Sequence, residues 1–190
     1  RAAFETINFC LKNNSKVILI SHLGRPKGID LKLSLYPIFD YLCIKFPNNK
    51  VLFSDDCISD KSIEKTNSLK SGDIHLLENL RYHNEELLNS DVFANNLSKH
   101  GDIYINDAFG TSHRMHASNS AILKYFNCKG IGFLMDRELK YLSNQTSDKA
   151  TVLIGGLKIS SKLKMISNYL NKSDKILIGG AMAFTLLKSQ

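Results

Sequence analysis

Positively charged side chains follow three short apolar runs that are typical of buried strands. They are His22 and Arg25 after residues 17–20, Arg81 after residues 74–77, and His113 and Arg114 after residues 103–105. In open α/β sheets, ligands bind beyond the carboxyl ends of the strands. We therefore expect the three arginines to meet at one edge of one sheet. Arginine forks match phosphate and carboxylate geometry, so three of them favour a small polyanion over a single phosphate.

Each of these side chains also has a simpler explanation. A lone arginine is more often a solvated surface charge or half of a local ion pair. His22 and His113 would also fit as core histidines bonded to the backbone, and for His116 we prefer that interpretation. Glu78 would pair with Arg81, three residues later. Only the recurrence of cations at three strand ends favours a binding site.

Two glycine pairs, at 155–156 and 179–180, mark a second candidate site. Each follows an apolar run and precedes a helical pattern, so the backbone there could approach a phosphate closely. Lys158 and Lys162 are four residues apart and share a face if the helix has begun. Tight strand–helix turns explain each pair equally well, and the P-loop pattern GxxxxGK[ST] is missing. Together, the two glycine pairs and the two lysines favour a nucleotide-binding site.

Strands and helices alternate along the whole chain. Apolar runs predict strands at 17–20, 51–53, 74–77, 103–105, 151–154 and 175–178, with a weak strand or turn at 130–134. Helical spacing predicts helices at 2–13, 34–44, 59–69, 92–100 and 135–144, one ending near 170, and one from the second glycine pair to 190. This order predicts an α/β fold with a mostly parallel sheet. The polar stretch 145–149 predicts a domain boundary, and the two βα units after it predict a truncated second domain.

Composition narrows the class of protein. The 190 residues carry a net charge of +7, which suggests anionic partners, either nucleic acid or small phosphates. No arginine–glycine tract, lysine-rich run or basic patch with interleaved aromatics supports nucleic acid. The four cysteines form no CxxC pair, so we expect reduced thiols and neither a disulfide framework nor a zinc site. No apolar run approaches the roughly 18 residues of a membrane span, and we expect an intracellular soluble protein.

Six motifs together resemble the phosphoglycerate kinase family in order and spacing. They are SHLGRPKG (21–28), LLENLRYHNEE (76–86), INDAFGTSHRMHAS (105–118), GFLMDRELKYL (132–142), LIGGLKISSK (153–162) and IGGAMAFTLLK (178–188). The resemblance covers essentially the whole chain. It implies two Rossmann-like domains joined by a helix: residues 1–134 would bind 3-phosphoglycerate, 135–149 would form the interdomain helix and linker, and 150–190 would begin the nucleotide-binding domain.

The resemblance also implies a reaction and the residues that serve it. The family transfers a phosphoryl group reversibly between 1,3-bisphosphoglycerate and ADP, in glycolysis. The implied substrate-binding residues are His22, Leu23, Gly24, Arg25, Arg81 and Arg114. The implied nucleotide-binding residues are Gly156, Lys158, Lys162, Gly179 and Gly180, and Lys158 and Arg114 are the implied catalytic pair. Mg²⁺ would arrive with ADP or ATP, its protein ligand lying outside this sequence, and no metal-binding residue is expected here.

The chain departs from the family pattern in ways that leave an alternative open. Leu157 and Ala181 stand where the family has alanine and glycine. The sequence starts inside the family's first long helix, without the earlier DFNVP strand and a substrate-binding arginine, and ends before most of the nucleotide domain. The alternative is a truncated, non-catalytic anion-binding fragment. The family resemblance favours a cytoplasmic monomer that binds neither nucleic acid nor membranes. It also fits an organellar form.

Overall fold

The computed structural model describes residues 2–143, 151–157, 160, 162–170 and 173–188. The chain forms two compact units, residues 1–138 and 139–190. The predicted linker 145–149 and Lys158 lie outside the described residues. None of the described helices is long and apolar enough to span a membrane.

Seven strands are described. They are β1 (Val17–Leu19), β2 (Val51–Ser54), β3 (Ile74–Leu77), β4 (Ile103–Asn106), β5 (Cys128–Ile131), β6 (Thr151–Gly155) and β7 (Lys175–Gly179). All six predicted strands are present within one residue of the expected bounds. The weak strand or turn expected at 130–134 is wrong in its bounds, because β5 starts two residues earlier and a helix begins at Phe133.

Eight α-helices connect the strands of the described residues. They are α1 (Phe4–Lys12), α2 (Tyr36–Lys45), α3 (Asp60–Asn67), α4 (Asn84–Leu87), α5 (Asp91–Ser98), α6 (Phe133–Ser143), α7 (Leu163–Leu170) and α8 (Ala181–Leu187). Side-chain caps set two of their starts: Ser59 accepts the N–H of Ser62 before α3, and Ser90 accepts that of Phe93 before α5. The helix expected to run to residue 190 ends earlier, at Leu187.

The sheets are parallel, as the alternation of strands and helices predicts. β3 lies between β1 and β2, and Ile74 pairs with Val17 on one side and Val51 on the other. β4 pairs with β5, and β6 with β7. The expectation of one sheet edge for all three arginines is therefore wrong, because β4 bonds to β5 and not to β1 in the described ladders.

The first unit has two hydrophobic clusters, one on each side of β3. Successive side chains of a strand alternate between faces, so Ile74 and Leu76 enter one cluster, beside Ile7 and Leu42, while Leu77 enters the other. The buried members of the second cluster are Cys57, Leu77, Leu80, Phe93, Ala94, Leu97, Tyr104, Ala117, Ala121, Ile122 and Phe126. Because Leu77 belongs to β3 and Tyr104 to β4, both sheets of this unit contribute to this second cluster.

A polar network lies beneath the three-stranded sheet. His75 is fully buried, with Nε2 2.8 Å from Ser54 Oγ and Nδ1 2.9 Å from Thr66 Oγ1. Thr66 Oγ1 also lies 2.6 Å from His100 Nδ1, and His100 Nε2 lies 3.0 Å from the carbonyl oxygen of Cys57. One arrangement of protons satisfies these four contacts with both imidazoles neutral: Ser54 donates to His75, His75 to Thr66, Thr66 to His100, and His100 to Cys57. The single Thr66 proton is then not available to the carbonyl oxygen of Ser62, which lies 3.2 Å away.

The second unit is built from β6, β7, α7 and α8. Ile154 and Met182 are its buried apolar residues among those described. Leu153 and Phe184 remain largely exposed. The described part of this unit therefore buries much less apolar surface than the first unit, as expected for a parallel sheet with only two strands.

Candidate functional site

Arg81 lies at the centre of the candidate anion site. It belongs to a 3₁₀ turn, Leu80–Tyr82, that follows β3 directly, and its N–H donates to the side chain of Asn79. Only 6% of Arg81 is exposed. A cation is thus held under the surface at the carboxyl end of the central strand.

The loop after β1 is fixed to this turn by hydrogen bonds. Asn79 Nδ2 donates to the carbonyl oxygens of Leu23 (2.8 Å) and Leu33 (2.9 Å). Arg81 Nη1 donates to the carbonyl oxygen of Gly24 at 2.7 Å. Gly24 has a φ of +66°, and a side-chain carbon there would lie 2.9 Å from Leu33 Cδ2. Glycine is therefore favoured where the loop turns over Arg81.

Two nitrogens of Arg81 remain without a partner. Nε and Nη2 are buried and make no hydrogen bond within the described part of the chain. Buried donors are nearly always paired in proteins. Burial and then the charges of Arg114 and Arg25 lower the pKa of Arg81, against a smaller opposing effect of Glu86. An anion would satisfy both nitrogens and reduce this repulsion.

The other predicted cations lie within electrostatic reach of Arg81. His22 is half-buried, and its pKa is lowered by burial first and then by Arg81, Arg114 and His116. Arg114 is also half-buried, whereas Arg25 is exposed. The loops after β1, β3 and β4 therefore bring His22, Arg25, Arg81 and Arg114 together, although two sheets supply the strands.

Within the described residues, the side chain of His116 contacts Glu86 and does not make the backbone bond expected for it. Its Nδ1 lies 3.7 Å from Oε1 of Glu86. Burial lowers the pKa of His116, Glu86 raises it, and Arg81 and Arg114 lower it further. His113, predicted beside it, is exposed.

Glu86 anchors the loop that carries Arg114 and His116. It is 3% exposed, and it accepts hydrogen bonds from the N–H (2.9 Å) and hydroxyl (2.6 Å) of Ser118. Its carbonyl oxygen accepts the N–H of Ala117 at 2.9 Å. This buried carboxylate positions the cationic loop, and sequence reasoning missed it. The polar run ENLRYHNEE, placed directly after a buried strand, was the available signal.

Glu78 has a structural role that differs from the expected pair with Arg81. Its Oε2 accepts the hydroxyl of Ser34 at 2.6 Å, and its Oε1 accepts the N–H groups of Leu35 (2.7 Å) and Asn79 (2.8 Å). A carboxylate at a helix N-terminus is favourable, so Glu78 holds the start of α2 against the end of β3.

Asp107, in the loop after β4, likewise serves the fold. Its Oδ2 accepts the hydroxyl of Thr6 (2.7 Å), and its Oδ1 accepts the N–H of Met135 (3.1 Å) in the first turn of α6. Thr6 Oγ1 in turn accepts the N–H of Phe133 at 3.0 Å. Asp107 and Thr6 together cap α6 from outside the helix.

The second unit brings two glycine turns together. A side-chain carbon on Gly180, whose φ is +71°, would lie 3.3 Å from the carbonyl oxygen of Gly156. A carbon on Gly156 would lie 3.0 Å from Lys162 Nζ, so the ammonium group covers this turn. Gly179 ends β7 opposite Gly155. Lys162 precedes α7, which starts at Leu163, and the shared helical face expected for Lys158 and Lys162 stays a prediction because Lys158 lies outside the described residues.

A family model described as "Phosphoglycerate kinase" matches residues 1–190. The chain is 42% identical over 194 residues to a phosphoglycerate kinase of Prochlorococcus marinus, and 46% identical over 195 residues to one of Campylobacter lari. Each alignment covers 100% of this chain and 48% of the relative. The chain therefore spans about half the length of these curated relatives.

Solved structures give the same similarity. A phosphoglycerate kinase structure from Coxiella burnetii aligns with a TM-score of 0.80 and 28% identity, over 99% of this chain and 48% of that one. Another, from Pyrococcus horikoshii, aligns with a TM-score of 0.77 and 30% identity, over 100% of this chain and 49% of that one.

Proposed function

The chain belongs to the phosphoglycerate kinase family, and we propose on this premise that it serves reversible phosphoryl transfer between 1,3-bisphosphoglycerate and ADP. The products are 3-phosphoglycerate and ATP, in glycolysis. The first unit binds the glycerate substrate, and the second contributes part of the nucleotide site. The four free cysteines fit a reducing compartment such as the cytoplasm.

The two buried, unpartnered nitrogens of Arg81 carry the proposal. Leaving donors of a buried cation unpaired costs free energy that a bound oxyanion recovers. Arg114 and Arg25 add positive charge to the same site, and the lowered pKa of His22 favours a neutral imidazole that can donate a hydrogen bond there. The proposed substrate, 3-phosphoglycerate, has two anionic ends, a phosphate and a carboxylate. Several cations bind such a molecule better than one.

Within the site, we assign His22, Leu23, Gly24, Arg25, Arg81 and Arg114 to the glycerate substrate. Arg81 is already held at Gly24 through Nη1, so its free nitrogens have a fixed direction and little entropy is lost on binding. Leu23 takes part through its backbone, which Asn79 holds. Arg114 also stabilises charge on the transferring phosphoryl group, because this reaction depends on positioning and charge neutralisation more than on covalent catalysis.

For the nucleotide, we assign Gly156, Lys162, Gly179 and Gly180, together with Lys158. The ammonium of Lys162 over the glycine turn suits a phosphate oxygen. The role of Lys158, contact with the transferring phosphoryl group, rests on the family resemblance alone. The described residues around these turns offer cations and amides and do not fit Mg²⁺, which takes oxygen ligands. We therefore assign Mg²⁺ to the nucleotide, where it neutralises phosphate charge.

Calorimetric titration of the full chain with 3-phosphoglycerate tests the proposal. We expect saturable binding that Arg114→Ala weakens by at least about tenfold, since a charge-assisted contact contributes about 1.5–3 kcal/mol. The matched control is Arg137→Ala, which removes the same charge from an exposed residue paired with Glu5. Equal weakening in both variants would show that binding depends on the overall charge of the protein and not on a specific site. No binding by a chain that circular dichroism shows to be folded would overturn the proposal.

A non-catalytic anion-binding protein is the second candidate. It is favoured by the two buried, unpartnered nitrogens of Arg81, which would take an oxyanion whether or not a phosphoryl group is then transferred. It predicts binding of 3-phosphoglycerate with no ATP-dependent turnover. A coupled assay for 1,3-bisphosphoglycerate formation separates the candidates, because turnover that Arg114→Ala removes excludes this one.

A further inference from the structure

Two loops bring together three potential metal ligands that the anion site does not use. Asp56 and Cys57 follow β2, and His83 follows the turn that ends at Tyr82. One ligand atom from each lies within 4.8 Å of the others. His83 Nε2 is 3.3 Å from Asp56 Oδ1.

These distances are close to those of a tetrahedral zinc site. Zinc bonds of about 2.0–2.3 Å separate neighbouring ligand atoms by about 3.3–3.6 Å. The contact between His83 and Asp56 already has that length. Bringing the longest separation into range requires a shift of ~1 Å, which small side-chain rotations supply.

Packing holds the three residues in place. Asp56 Oδ1 accepts the N–H of Ile58 at 2.7 Å. The ring of His83 lies against Phe93, with centroids 5.4 Å apart. Cys57 is 1% exposed, and its carbonyl oxygen accepts the hydrogen bond from His100. The cluster therefore combines a buried thiol with a carboxylate and an imidazole that are partly exposed.

A cavity of about 110 Å³ adjoins the cluster. Its wall also includes Ile29, Asp55, Glu78, Asn79 and Tyr82. That volume holds an ion and a few waters, each of which takes about 30 Å³. Both oxygens of Glu78 already accept hydrogen bonds, so the fourth position is left to a water from the cavity.

We propose that Asp56, Cys57 and His83 bind one Zn²⁺ ion, with a fourth position open to the cavity. A set of one sulfur, one nitrogen and one oxygen suits Zn²⁺ and excludes Mg²⁺, which requires oxygen ligands. No zinc site was expected from the sequence because it contains no CxxC pair. The three ligands come from two separate loops, which a local spacing pattern does not reveal.

Binding replaces the thiol proton. As the sulfur–zinc bond forms, the S–H bond of Cys57 breaks and the proton passes to solvent. Burial, and then the charge of Asp56, raise the pKa of the Cys57 thiol. The ion must therefore displace a tightly held proton, and affinity rises with pH. The imidazole of His83 must also be neutral to bind.

Titration of the full chain with Co²⁺ tests the site, because a thiolate–cobalt bond produces a near-ultraviolet charge-transfer absorption. We expect one equivalent of Co²⁺ to bind with this absorption and one equivalent of Zn²⁺ to displace it. A large excess of Mg²⁺ should leave it unchanged.

Variants locate the ligands. Cys57→Ser, a near-isosteric change, should abolish the charge-transfer absorption. His83→Gln, at a partly exposed residue, should weaken Co²⁺ binding at least about tenfold and keeps the test decisive if Cys57→Ser fails to fold. Cys43→Ser is the matched control, since Cys43 is exposed on α2. No charge-transfer absorption in the unmodified chain, or its loss in Cys43→Ser rather than Cys57→Ser, would overturn the proposal.

Discussion

Arg81 Nη1 donates a 2.7 Å hydrogen bond to the carbonyl oxygen of Gly24. This bond joins the turn after β3, which carries Arg81, to the loop after β1, which carries His22 and Arg25. It satisfies one nitrogen of a guanidinium that is 6% exposed, and two others remain buried and unpaired. Arg81 thus has a fixed position at a cost in stability, which is typical of a residue held ready for a ligand.

Arg81→Met should separate stability from binding. The variant removes an incompletely paired buried cation, so we expect the free energy of unfolding to stay within about 1 kcal/mol or to rise. Affinity for 3-phosphoglycerate should fall at least about tenfold, because charged hydrogen bonds are lost. Urea denaturation and calorimetry measure the two effects. A loss of several kcal/mol in stability would instead assign Arg81 a structural role.

His75 and His100 should make the protein sensitive to acid. Burial first, then His100 and Lys65, lower the pKa of His75 to about 4, and burial lowers that of His100. A histidine with a lowered pKa in the folded state adds stability above its unfolded pKa of about 6.5. That stability is lost as the pH falls from about 6.5 to about 4, and for His75 it amounts to on the order of 3 kcal/mol.

Denaturation of the unmodified chain and of His75→Asn, at several pH values, checks this expectation. The variant should be less stable at pH 7, where Ser54 and Thr66 lose their partner. The difference between the two proteins should shrink between about pH 6.5 and 4. A constant difference across that range would show that His75 does not titrate on unfolding.

Glu86→Gln should loosen the loop that carries Arg114. The carboxylate accepts two hydrogen bonds from Ser118. The side-chain amide of Gln would place its NH₂ group opposite one of these donors, which should lower the free energy of unfolding by about 1–3 kcal/mol. Removing the negative charge should also lower the pKa of His116, because Glu86 raises it. Thermal denaturation and an NMR titration of His116 measure both effects. Glu85→Gln, an exposed neighbour with the same charge change, should leave both nearly unchanged.

Local patterns in the sequence predicted strands better than they predicted strand partners. The apolar run at β4 identified a strand, but its pairing with β5 depends on residues distant in the chain. Helix α4 was missed because four residues are too few for helical periodicity to appear. The contacts of Arg81 and Glu86 were missed for a related reason: charge type is visible in sequence, but burial is not.

Asp107→Ala should destabilise the start of α6. Asp107 Oδ1 accepts the N–H of Met135, and its Oδ2 holds Thr6, which accepts the N–H of Phe133. Losing a helix cap costs about 0.5–2 kcal/mol, and here two N–H groups depend on one carboxylate. Amide hydrogen exchange at Phe133 and Met135 should therefore accelerate, and the free energy of unfolding should fall by on the order of 2 kcal/mol. Asp102→Ala, at an exposed residue just before β4, is the matched control. Equal acceleration in both variants would show that α6 starts without help from Asp107.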